Sequence, residues 1–203
     1  NYLSKKLYLL GDSYYNVGNN AKAREYFVQF IDKFPKDPFV NQAIYNLGWT
    51  YYNEKSYTNA AKSFAEVYKR EKNSELGLKS LFRQGKSYKE GKKFEEAKNI
   101  FNELVKRFPT SDIADEALFE KGLIEYYEEK NYESALVSFL TIKDNYPKSN
   151  YYYKAVKMAA ECYINLNQVN DAYRLEDAVK LYDVIVSGSK EPELLSSSIY
   201  QTA

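Results

Sequence analysis

Five tyrosines, Tyr14, Tyr51, Tyr88, Tyr126 and Tyr163, recur at intervals of 37, 37, 38 and 37 residues. A period of this length restricts the fold more than any other feature, because it is the mark of one supersecondary unit stacked repeatedly on itself. Other positions keep the phase. Gly11, Gly48 and Gly85 precede the first three tyrosines by three places, and Ala160 holds the same relation to Tyr163. Nine residues after the first four tyrosines come Ala23, Ala60, Ala97 and Ala135, each followed four residues on by Phe27, Phe64, Phe101 and Phe139. Leu7, Leu10, Gly11 and Tyr14 lie at i, i+3, i+4 and i+7, and Ala23, Phe27 and Phe30 at i, i+4 and i+7. Each unit therefore reads as two amphipathic helices.

The punctuation agrees. Asn19-Asn20, Gly91-Lys92 and Lys130-Asn131 interrupt the pattern between the two helices of a unit, and Pro35, Pro109 and Pro147 close three units. Asp37 is expected to cap the next helix with Pro38 at its first position, and Ser111 and Ser149 to cap at the matching points. With these residues in place the chain resembles the tetratricopeptide repeat, whose pattern runs apolar residue, Leu-Gly, Tyr, Ala, Phe and Pro along a helix hairpin. Leu7, Leu10-Gly11, Tyr14, Ala23, Phe27 and Pro35 fill the first unit; Ile44, Leu47-Gly48, Tyr51, Tyr57, Ala60 and Phe64 the second; Leu81, Gly85, Tyr88, Phe94, Ala97, Phe101 and Pro109 the third.

The resemblance implies an all-α, right-handed solenoid of about five hairpins in one domain spanning 1–203. Its repeats fall near 4–37, 41–74, 78–111, 116–149 and 153–190, with a capping or sixth-repeat helix over 191–203. Two registers fit the fourth unit. Taking Gly122 as the small residue puts Glu125 where tyrosine belongs, whereas anchoring on Tyr126 puts Leu123 at the small position. In the fifth unit Ala178 and Tyr182 come six residues late, so 165–177 is expected to hold an extended turn or a lengthened helix.

Composition narrows the function. There is no histidine, which removes the commonest neutral-pH acid/base group and metal ligand. One cysteine forms neither an intrachain disulfide nor a zinc site, and Cys162 occupies a position that the repeat fills with a small packed residue. No phosphate loop, dinucleotide fingerprint, HExxH or GxSxG is present, and Glu95-Glu96 and Glu128-Glu129 point in different directions on solvated faces. Catalytic, metal and cofactor sites are expected to be absent. A net charge of +1, from 29 basic and 28 acidic residues, gives no field for nucleic acid, and no apolar run is long enough for membrane insertion. No signal peptide is legible, although the chain reads as a trimmed fragment that begins and ends within its pattern.

The aromatic load, 22 Tyr, 11 Phe and one Trp, points instead to binding. In the repeat family the second, fifth, ninth, twelfth and thirteenth positions line a concave groove. Those positions map to Tyr8, Asp12, Tyr15 and Asn16; to Gln42, Tyr45, Trp49, Tyr52 and Asn53; to Lys79, Phe82, Lys86, Lys89 and Glu90; and to Ile124, Tyr127 and Glu128. Large rings on a face that packing does not require mark a partner site, and self-packing of the same rings is the alternative. Repeat proteins that hold chaperone tails carry Lys and Asn at the fifth and ninth positions of the first unit; here Tyr8 and Asp12 replace them. The 37-residue units and the Phe-Pro or Tyr-Pro endings resemble bacterial envelope repeat proteins of the BamD and CpoB type. The resemblance implies a non-enzymatic scaffold for a peptide or protein partner in the bacterial periplasm or at the outer membrane, with a cytoplasmic adaptor as the second reading.

Overall fold

The structure is a computed structural model that describes residues 2–168 and 175–195. Every regular element among them is helical: α1 (Tyr2–Asn16), α2 (Asn20–Lys33), α3 (Val40–Asn53), α4 (Tyr57–Arg70), α5 (Glu75–Glu90), α6 (Phe94–Arg107), α7 (Ala114–Leu123), α8 (Tyr132–Asn145), α9 (Tyr152–Asn167) and α10 (Leu175–Gly188). A single π-helical turn, Ile124–Glu128, follows α7. None of the described helices is long and apolar enough to cross a membrane.

The chain divides into two compact units, Asn1–Ile100 and Phe101–Ala203, with the boundary inside α6. In the first unit α1 packs on α2, α2 on α3, α3 on α4 and α4 on α5, and the odd-numbered helices also touch, α1 with α3 and α3 with α5. In the second, α7 packs on α8, α8 on α9 and α9 on α10.

The hairpins close through residues in the left-handed region. Gly18, Lys55, Lys92 and Lys130 all have positive φ and keep the period of the repeat, and only at position 18 does glycine remove the steric cost. Asn19 and Asn131 cap the following helices by accepting from the Lys22 and Ser134 amides at 3.2 and 3.1 Å. The caps expected at Asp37, Ser111 and Ser149 lie short of the helices. Asp37 and Ser149 accept from the amides two residues on, Phe39 and Tyr151, and Ser111 donates to the Phe108 carbonyl. Each fixes the entry turn, and α3, α7 and α9 begin at Val40, Ala114 and Tyr152.

The periodic residues are the core. Ala23, Ala60, Phe27, Phe64, Ala135 and Phe139 are fully buried, and in the first, second and fourth hairpins the second helix presses its phenylalanine against the glycine of the first. A Cβ at Gly11 would stand 2.7 Å from Phe27, and one at Gly48 2.8 Å from Phe64. At Gly122 the distance to Phe139 is 2.6 Å, which fixes the fourth unit: Gly122 is its small residue. Tyr126 nevertheless keeps the tyrosine position, because the π turn holds one residue more than an α-helix would. The surplus residue, Glu125, is buried, accepting from Ser138 Oγ at 2.6 Å and pairing with Lys121 Nζ at 3.1 Å.

In the fifth unit α9 ends at Asn167 and α10 starts at Leu175; residues 169–174, within the expected extended turn, lie outside the described residues. Of the expected terminal helix, Leu195 donates to the Glu191 carbonyl and Leu194 is buried, and 196–203 lie outside the described residues.

Candidate functional site

Helices α1, α3 and α5 lie side by side in the first unit, so whatever their shared outer faces carry becomes one surface. The middle of that surface is aromatic. Tyr45 and Trp49 both stand edge-on to buried Phe64, with centroids at 5.3 and 5.8 Å, and Trp49 meets Tyr52 at 5.4 Å. Tyr52 in turn meets Tyr57 at 5.3 Å. One side of this cluster rests on the core; Tyr45, Trp49 and Tyr52 remain half-buried, so the other side faces outward. The two readings of the rings, groove and self-packing, describe opposite sides of the same side chains.

Tyr8 extends the cluster on α1, 5.6 Å from Phe30 and 5.3 Å from Phe39. Burial raises the pKa of its hydroxyl, the nearby Asp12 carboxylate adds to this, and a hydrogen bond with Asn46 opposes both. That contact ties α1 to α3 across the surface. Asp12 accepts from Asn16 at 3.3 Å, Tyr15 is half-buried, and exposed Asn53 donates to Asn20 at 3.4 Å.

Helix α5 supplies charge. Lys86 and Lys89 are half-buried at its C-terminal end, and Lys79 pairs with Glu75 one turn away. Phe82 is corrected: it is 3% exposed and belongs to the interior. The residue beside it carries the chemistry instead. The Arg83 guanidinium lies 4.8 Å from the Trp49 ring centroid and 5.6 Å from that of Phe82, cation–π geometry on both. Sequence position alone missed Arg83 and Asn46; the signal was present in Lys79, Arg83 and Lys86, which stand at i, i+4 and i+7 on α5.

Tyr127 belongs to the second unit. It is 59% exposed at the π turn, 4.8 Å from Tyr126, and burial together with Glu161 raises its pKa. Ile124, also expected on the groove face, is fully buried. Cys162 is fully buried too, and desolvation, with Glu161 and Glu125 nearby, pushes its thiol up to about 12, leaving it protonated and packed.

Comparisons with known proteins agree with this architecture. Family profiles described as tetratricopeptide repeat match residues 8–75, 79–111 and 116–149. A tetratricopeptide repeat protein from Parabacteroides merdae ATCC 43184 superposes with a TM-score of 0.68 at 19% identity, covering 99% of this chain and 74% of that one. MamA from Desulfovibrio magneticus RS-1 gives 0.64 at 17% identity, over 93% of this chain and 98% of its own. A putative kinesin light chain with nearly identical TPR-like repeats, from Podosopora anserina, gives 0.60 at 14% identity, over 92% and 97%. At these identities the likeness is one of fold. No curated protein matches the chain.

Proposed function

This chain belongs to the tetratricopeptide repeat family, whose hairpins serve as protein-interaction scaffolds, and from that premise we propose that it holds a peptide segment of a partner protein on the outer face of α1, α3 and α5. The observation that carries the reading is Arg83 set over Trp49 at 4.8 Å, within a row of half-buried rings. A guanidinium spread on an aromatic face is weakly hydrated and keeps its in-plane donors for a planar anion. Tyr45, Trp49 and Tyr52 supply large contact area at low entropic cost, which is what binding hot spots use. The partner segment therefore presents apolar side chains to the rings and a carboxylate to Arg83, with Lys86 and Lys89 adding long-range attraction.

The test is selection of displayed peptides against the full chain, repeated against Arg83→Glu and Tyr52→Ala. Peptides enriched by the wild type should carry acidic and apolar residues, and should weaken by roughly thirtyfold, the equivalent of about 2 kcal/mol, on Tyr52→Ala. Indifference of the selected peptides to both substitutions rejects this face.

For setting, the same proposal extends to the bacterial envelope: 37-residue units with Phe-Pro and Tyr-Pro endings support a periplasmic or outer-membrane-associated scaffold of the BamD or CpoB type. Fractionation of the source cell with an antibody to the native protein tests this, and recovery in the cytosol favours the adaptor reading.

A further inference from the structure

Residues 9, 46 and 83 hold one position of the repeat on α1, α3 and α5, so they form a row that crosses the proposed binding face from helix to helix. Later repeats fill this position with polar side chains, Asn46, Arg83 and Glu120. The first repeat fills it with Leu9, which is 49% exposed. Beside Leu9 a cavity of about 510 Å³ opens between α1 and the turn that leads into α3. Tyr8, Leu9, Phe30 and Phe39 wall it, and Lys5 and Asp37 complete the lining with one charge of each sign. The cavity is preformed. Asp37 accepts from Ser4 on α1 and from the Phe39 amide, which ties the turn that carries Phe39 to α1. The fourth unit shows the same joint closed. Phe119 and Tyr151 take the positions of Tyr8 and Phe39, with ring centroids at 5.1 Å against 5.3 Å in the first unit. There Tyr151 is half-buried and its hydroxyl bonds to Glu116, which stands where Lys5 does. Phe39 has no hydroxyl to be held in this way, and it is 58% exposed. Lys5 is without an ion-pair partner among the described residues.

We infer that this cavity is a second anchor point for the partner segment and takes one of its aromatic side chains, about five to six residues away from the acidic residue that meets Arg83. The inference rests on the binding face proposed above and adds the partner's second recognition element to it. Three of the walls are rings, and they offer an entering ring the tilted and edge-on contacts that an aliphatic side chain lacks. Lys5 and Asp37 balance each other, so the cavity favours a neutral side chain over a charged one. The spacing follows from the row. Leu9 and Arg83 stand two helix-to-helix steps apart, roughly 16–20 Å at the usual separation of packed helices, and an extended chain advances about 3.3 Å per residue. The surface between them is continuous: Tyr8 is hydrogen-bonded with Asn46, and Tyr45 meets Trp49 at 6.3 Å, beside Arg83.

The test takes the displayed peptides enriched on the full chain and measures them against Leu9→Asn and Phe39→Ala. Leu9→Asn gives α1 the residue that α3 carries at the same position, and Phe39 is largely exposed, so both variants should keep the wild-type circular dichroism. Enriched peptides should carry an aromatic residue and an acid at about the stated spacing, in either order. Each protein variant should weaken such a peptide by roughly tenfold, and so should alanine in place of the peptide's aromatic residue. Combining the protein and peptide changes should cost little more than either alone, because both remove one contact. Peptides that respond to Arg83→Glu and Tyr52→Ala but lack the spaced aromatic residue, or keep full affinity for Leu9→Asn and Phe39→Ala, or show fully additive losses, overturn this inference and leave the binding face standing. Peptides indifferent to all four substitutions overturn both. Should a cavity variant fail to fold, the alanine-substituted peptide measured on the wild type still decides, and undiminished affinity overturns the inference.

Discussion

A methyl group placed on Gly122 would stand 2.6 Å from Cε1 of Phe139, closer than side chains approach one another. Replacing a helical glycine by alanine ordinarily gains up to about 1 kcal/mol, but Phe139 is fully buried and its ring has nowhere to retreat. Gly122→Ala should therefore destabilise the protein by about 1–3 kcal/mol, read as a fall in the urea midpoint. Gly11→Ala and Gly48→Ala should behave alike, since Phe27 and Phe64 press on them in the same way.

The π turn at Ile124–Glu128 reconciles Gly122 with Tyr126 by accommodating one surplus residue. Deleting Glu125 restores the three-residue step from glycine to tyrosine found at Gly11 and Tyr14, and also removes a buried carboxylate. The deletion should fold, with a melting temperature within about 5 °C of the wild type, whereas deleting buried Leu118 should shift every side chain after it off its face and prevent folding. Glu125→Ala should be worse than the deletion, because both take the carboxylate from Lys121 but only the substitution keeps the irregular turn.

Ser4 on α1 donates its hydroxyl to the Asp37 carboxylate, and the Phe39 amide donates to the same group at 3.0 Å. Both bonds favour the charged form, the first more strongly, and hold the Asp37 carboxyl below its ordinary value of 3.8. A lowered folded-state pKa contributes stability above pH 4 or so that is lost as pH falls through the folded value. The group is open to solvent, so the contribution stays under about 1 kcal/mol. Thermal melts from pH 6 down to pH 3 should show Asp37→Asn losing less stability than the wild type over the acid limb.

Most of this fold is legible in the chain because glycine, alanine and phenylalanine repeat at fixed offsets, and close helix packing leaves few alternatives at those places. The register of the fourth unit is different, since two anchors, Gly122 and Tyr126, both match and only backbone geometry shows that both apply. The site was legible as a face but not residue by residue. Phe82 shares its repeat position with Tyr8 and Tyr45, yet it is buried while they are half open. Exposure depends on which neighbours cover a position, and the spacing of the repeat does not carry that; Arg83, one residue on, sets its guanidinium near both Phe82 and Trp49.

That arrangement decides how binding and stability separate. Trp49 is in ring contact with Phe64, Tyr45 and Tyr52 and carries Arg83, so Trp49→Ala opens space beside the core and releases the guanidinium together. It should lower both partner affinity and the unfolding free energy, the latter by about 2 kcal/mol, less than the 3–5 kcal/mol expected for Phe64→Ala. Tyr52 is in ring contact with Trp49 and Tyr57. Tyr52→Ala should cost binding roughly thirtyfold with at most about 1 kcal/mol of stability, which makes it the cleaner probe. Arg83→Gln should leave stability nearly unchanged and weaken acidic peptides at low salt, an effect that shrinks as salt rises. Urea melts and titrations with the same selected peptide, on the three variants side by side, check the ordering. If Tyr52→Ala binds as tightly as the wild type while Phe64→Ala alone weakens the complex, the rings serve the core and the partner lies on another face.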